Sequence, residues 1–167
     1  STMNGIIFIL LTLSACSGRL YKFNETDVLE NKSIAEIIRV IDNEKLAVFK
    51  KESDIPEYIR KTLDSWGDKF DIADSGSKYQ STDVFNGLPS RQIIAIFKNE
   101  NYFIMTYSHG GRGRHTHIMY FKMADEKVLD FWVGFGNVFG EQMENLQGIK
   151  TQLTMNASDL QTNFVDY

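Results

Sequence analysis

Residues 92–134 read QIIAIFKNENYFIMTYSHGGRGRHTHIMYFKMADEKVLDFWVG, and this stretch decides the fold. It divides into four runs rich in Ile, Phe, Tyr, Val and Met: Gln92 to Lys98, Tyr102 to Ser108, His115 to Lys122 and Lys127 to Gly134. Aromatic and β-branched side chains suit a pleated, packed surface. Asn99-Glu100-Asn101 and Ala124-Asp125-Glu126 are short polar breaks that turn a hairpin, and His109 to Arg114 is a longer, glycine-rich one. Connections this short join antiparallel neighbours only. The stretch therefore predicts an antiparallel meander.

Alternation along the runs assigns side chains to faces. His115, His117, Met119 and Phe121 share one face of the third run; Thr116, Ile118, Tyr120 and Lys122 share the other. In the second run Phe103, Met105 and Tyr107 oppose Ile104 and Thr106, and in the fourth Leu129, Phe131 and Val133 oppose Val128 and Trp132. Both faces are largely apolar, so both need a cover.

Outward from the meander, the covers are helices. Ser33, with Glu36 three residues on, matches a capping box, and Ile34, Ile37, Ile38 and Ile41 follow on one helical face. Leu46 to Phe49 reads as a short strand. Ser53 or Asp54 starts a second helix, with Pro56 in its first turn, Ile59, Leu63 and Trp66 as its stripe, and Gly67 at its end. Phe70 to Ala73 is a candidate strand before a turn at Asp74 to Ser77. Glu141 to Leu153 has Met143, Leu146, Ile149 and Leu153 at helical spacing, although Gly148 disfavours a helix there. Residues 154–167 are mostly polar, with a short strand expected at Phe164-Val165. The class is α+β: two N-terminal helices packed on a mainly antiparallel meander of four to six strands. The two early helices, with Trp66 largely buried, are expected to cover one face. The other face then falls to the C-terminal segment, to residues 1–17, or to a second copy in a homodimer.

Composition bounds the function. With 167 residues, 43% of them hydrophobic, the chain is one domain with a proper core. A net charge of −4 argues against nucleic-acid binding, which needs a basic surface. Cys16 is the only cysteine, which excludes an intramolecular disulfide and a cysteine-based zinc site. No Gly-x-Ser-x-Gly elbow and no His-Glu-x-x-His occurs.

Near the N-terminus, the run Ile6 to Leu13 is interrupted only by Thr12 and ends in Leu13-Ser14-Ala15-Cys16. It is too short to span a bilayer, which takes about 20 apolar residues, but it suits the apolar region of a cleaved signal. It resembles the signal and lipobox of bacterial lipoproteins, although no Lys or Arg precedes it. The resemblance implies cleavage before Cys16, a lipid on Cys16, and anchoring to the cell envelope on its periplasmic side. Ser17 in place of an aspartate implies the outer membrane. Ser1 and Thr2, ahead of Met3, look like a cloning scar. The expected organisation is residues 1–17 as scar, signal and lipobox, 18–30 as an extended tether, and 31–167 as one α+β domain. In size, location and lack of catalytic motifs the chain is similar to small envelope lipoproteins that neutralise secreted antibacterial effectors. That likeness implies a non-enzymatic immunity protein that occludes its partner.

The chemistry-bearing residues gather at His109-Gly-Gly-Arg-Gly-Arg-His-Thr-His117, which holds all three histidines of the chain. Four readings compete. The histidines suit a metal, with His115 and His117 pointing the same way. The glycines and Arg112 and Arg114 suit an anion. The same loop suits a protein partner, with Arg112 and Arg114 as anchors helped by His109, His115, His117 and Tyr107. Or it is a soluble hairpin turn. The expectation is partner binding, with no catalytic residue, metal or cofactor. The alternatives are a histidine- and metal-dependent envelope enzyme and a structural envelope lipoprotein. Geometry discriminates: converging imidazoles favour the metal, splayed ones the partner.

Overall fold

The computed structural model describes residues 20–111, 115–136 and 141–155. Five strands, β1 (Ala47–Phe49), β2 (Arg91–Lys98), β3 (Tyr102–His109), β4 (His115–Ala124) and β5 (Lys127–Gly136), form one sheet in the order β1-β2-β3-β4-β5. Every pairing between them is antiparallel. The predicted meander is therefore present, extended by β1 at one edge. Its turns follow the sequence. Asp125 and Glu126 both adopt left-handed φ, at 49° and 57°, as the tight two-residue turn between twisted strands requires. Asn99 Oδ1 accepts from the backbone N–H of Asn101 and Tyr102, closing the β2–β3 turn.

Helices α1 (Glu25–Leu29), α2 (Ile34–Asn43), α3 (Glu57–Asp64) and α4 (Leu146–Met155) complete the described fold. The class is α+β, with both early helices on the meander. They lie on opposite faces, however, which corrects the expectation that they share one. After α3, Trp66 packs against Phe121 and Phe131, and Phe70 meets Tyr107 edge-on at 5.9 Å. On the opposite face, Glu36 and Arg39 of α2 reach Lys122 and Tyr102. There α4 joins α2 through Lys150 and Asp42, and Thr106 Oγ1 donates to the Met143 carbonyl at 2.7 Å. The chain between α2 and α3 contains β1, which pairs along the β2 edge, so it rounds the sheet at that edge. Two apolar faces each acquire an early helix because neither can stay wet.

The tether is also corrected over residues 20–30. Phe23 meets Trp66 and Phe131, Trp66 Nε1 donates to the Tyr21 carbonyl, and Val28 of α1 is buried. Three apolar side chains are enough to dock this polar stretch, because burying a large side chain stabilises by about 1.5–3 kcal/mol. Asn24 caps α1 by accepting from Thr26 N–H. Residues 1–19, Cys16 among them, lie outside the described residues, as does the strand expected at Phe164-Val165.

Other local expectations shift for identifiable reasons. The capping box at α2 does not form: Ser33 Oγ donates to Asp130 Oδ2 of β5 at 2.9 Å, and Glu36 pairs with Arg39. A contact to the sheet outcompetes the local cap. Among the described residues the segment at Phe70 makes one bridge, Ala73 to Gln92, although Phe70 and Ile72 are buried. Trp66 is half-buried rather than largely buried. α4 starts at Leu146, after a 3-10 turn at Glu141–Glu144. Asn145 Oδ1 accepts from Gly148 N–H and opens the helix. Gly148 is there for space: a Cβ would stand 1.8 Å from the Gln142 carbonyl oxygen.

Candidate functional site: a three-histidine cluster

The cluster is made by one hairpin. His109 ends β3 and His115 begins β4, and the register pairs them directly. Tyr107 pairs with His117 one step further in. Directly paired residues project to the same face, so all four rings stand together. The ring centroids lie 5.3 Å apart for His109 and His115, 4.7 Å for His115 and His117, and 5.6 Å for His109 and His117. Each imidazole brings a ring nitrogen into a group whose atoms all lie within 4.8 Å of one another.

Depth differs across the cluster. His117 is 1% exposed, and Tyr107 lies flat against it at 4.8 Å, with Phe70 behind. His109 and His115 are half-buried and nearer the loop. Burial first, then His115, His109 and Arg91, push the His117 imidazole down to about 2. It is therefore uncharged at neutral pH, the form that binds a metal.

Arg91 stands beside the cluster, and sequence reading missed it. It pairs with His109 from β2. Its guanidinium lies 4.5 Å over the Phe70 ring, 3.7 Å from Asp71 Oδ1, and donates to Ser90 Oγ. The loop before β2 is pinned to the hairpin base: Gly110 N–H donates to the Ser90 carbonyl and Gln80 N–H to the Pro89 carbonyl. Gly110 allows this, since a Cβ there would stand 1.8 Å from the Gln80 oxygen.

The candidate residues fare differently. His109, His115 and His117 are brought together. Tyr107, fully buried, and His117 are closed to a protein partner in this form. The sheet face at Tyr107 and Met119 is interior. Arg112, Arg114 and Cys16 lie outside the described residues.

Three imidazoles are a zinc-type donor set. Zn–N distances of about 2.0–2.1 Å place tetrahedral nitrogens roughly 3.4 Å apart. The rings would shift by on the order of an ångström to reach that spacing. Among the described residues no carboxylate or thiolate adds a ligand atom. Comparison with protein-family models, with curated proteins and with solved structures finds no match to this chain.

Proposed function

We propose that this protein is an envelope lipoprotein whose working centre is a divalent metal, zinc by donor type, held by His109, His115 and His117. One observation carries the reading: the three ligand groups lie within 4.8 Å of one another on a single hairpin. Convergence is the feature that separates this reading from the protein-binding one, and it reverses the preference drawn from the sequence. Among the described residues the protein supplies three ligand groups, the number found in catalytic rather than structural zinc sites. His109, His115 and His117 would hold the ion, and when bound it would supply Lewis-acid chemistry toward carbonyl or phosphoryl centres. The envelope placement rests on Leu13-Ser14-Ala15-Cys16, with a lipid on Cys16 and the outer membrane as its site.

Zinc calorimetry on the purified chain is the test. The expected result is a one-to-one isotherm of submicromolar affinity, abolished in both His115→Ala and His117→Ala. A folded wild-type protein that binds no zinc would end the reading.

A second reading keeps an observation of its own. Val84 and Phe85 are 72% and 83% exposed in the loop pinned beside the hairpin base, with Leu88 also exposed. Exposed aromatics are common interface anchors. In this reading the Val84–Leu88 loop, with Arg112 and Arg114, occludes a secreted antibacterial effector, and the protein is an immunity module with no chemistry of its own.

A further inference from the structure

We propose that Asn86 is a site of spontaneous covalent modification, where the side-chain amide is lost and the backbone isomerises through a cyclic imide. The inference needs neither the metal centre nor a partner. Asparagine is thermolabile because the next backbone nitrogen can attack its amide carbon. A Cβ on the following residue crowds that approach, and glycine has none. Asn86 is followed by Gly87, whose backbone is left-handed at φ 75° with open space where a Cβ would stand. Residues 81–88 are all exposed, so water and hydroxide reach the site. Leu88 N–H donates to Asn86 Oδ1 at 3.1 Å, the turn that an asparagine side chain makes with the backbone two residues on. Oδ1 is also the atom that gains negative charge when the amide carbon is attacked, and a donor already aimed at it stabilises that charge. Asn99 is the natural comparison. Its Oδ1 likewise accepts from backbone N–H groups, those of Asn101 and Tyr102, but Glu100 follows it.

The atoms balance with water as the only co-reactant. Hydroxide removes the Gly87 N–H proton, the nitrogen bonds to Asn86 Cγ, and the carbonyl electron pair moves onto Oδ1. When that pair returns, the Cγ–Nδ2 bond breaks. Nδ2 takes a proton from water and leaves as ammonia, which regenerates the hydroxide. One water then opens the imide. Opening at Cγ gives aspartate; opening at the main-chain carbonyl gives isoaspartate, whose backbone runs through Cβ. Nothing is oxidised or reduced. Either product sets a carboxylate next to Phe85, which is 83% exposed. Isoaspartate also lengthens a loop that the hydrogen bond from Gln80 N–H to the Pro89 carbonyl closes. The apolar tip at Val84 and Phe85 therefore has a lifetime.

The test holds the full chain at neutral and at mildly alkaline pH and samples it over days. Each sample is digested with trypsin. Peptide 79–91, in which Asn86 is the only asparagine, is followed by chromatography and fragment-ion mass spectrometry. The amide should turn to acid at Asn86, faster at the higher pH, and give two products with isoaspartate in excess. Conversion should run at least about tenfold faster than at Asn99 or Asn101, where the next residue carries a Cβ. Gly87→Ala should slow it at least about tenfold for the same reason. A synthetic peptide of residues 79–91 serves as the unfolded reference. Reaction in that peptide with none in the folded chain overturns the proposal, because the fold then protects the site. Conversion at Asn86 no faster than at Asn99 or Asn101 also overturns it. So does a Gly87→Ala protein that reacts at the wild-type rate, which rules out the imide. The wild-type comparisons need no variant, so a folding defect in Gly87→Ala leaves the test intact.

Discussion

At the scale of single residues, space and register decide what chemistry the chain can do. Gly148 lies inside α4, where alanine is the better helix former by about 1 kcal/mol. Propensity therefore favours Gly148→Ala. The Gln142 carbonyl, 1.8 Å from the new Cβ, opposes it. Backbone cannot swing away as a side chain can, so we expect a net loss of about 1–3 kcal/mol in urea unfolding. A stabilised variant would show that α4 shifts freely against the preceding turn. The same distinction explains what was legible at the site. The shared face of His115 and His117 follows from alternation alone. Their meeting with His109 needs the β3–β4 register, which a five-residue loop does not specify. Arg91 was hidden for a sharper reason. A bulge between Ile93 and Ala95 shifts the β2 register, so counting by twos from Lys98 assigns Arg91 to the wrong face.

At the scale of elements, the strands were readable and the helix placements were not. Period-two runs and polar turns mark a meander directly, and the four long strands lie within two residues of expectation. Alternation also showed that both sheet faces needed covering. It holds no information on which helix covers which face, because α2 and α3 are each amphipathic and each fits either. Their positions are written instead in polar contacts between distant segments, such as Glu36 to Lys122 at 3.3 Å. The Glu36 carboxyl is held down at about 2 from its ordinary 4.5, mainly by Arg39 and then by Lys122, against the opposing effect of burial. A carboxylate whose folded pKa is depressed stabilises fully above its unfolded value, and that contribution fades as the pH falls toward the folded one. Glu36→Gln should therefore cost stability at pH 7 and much less at pH 3. Because the pair is partly solvated, the cost should stay below about 1 kcal/mol. Urea midpoints of the two proteins at both pH values measure it. A gap that widens in acid would contradict this assignment of the α2–sheet contact.

At the scale of the whole molecule, the proposed envelope anchoring makes a prediction about Cys16. Among the described residues no helix is long and apolar enough to cross a membrane; the proposed attachment is through a lipid on Cys16. Expressed with its own leader, the protein should partition into detergent and lack residues 3–15. Cys16→Ser should move it to the aqueous phase. Recovery of intact Met3 from native membranes would refute the lipoprotein assignment. Residues 20–30, docked by Tyr21, Phe23 and Val28, then leave only a few residues between lipid and domain. The body would sit close to the bilayer instead of ranging away from it on a long leash.

The three imidazoles are supplied by nine consecutive positions, His109 to His117, on one hairpin. Closing so short a segment loses little chain entropy, since that cost grows with the logarithm of loop length. A denatured chain can therefore gather the same ligands, and a metal that binds both states stabilises the fold by less than its affinity for the native protein implies. Melting curves with zinc would consequently understate how tightly the centre holds it. The same economy would let a nascent chain capture the proposed ion once the hairpin has emerged, before the C-terminal helix exists to complete the opposite face of the sheet.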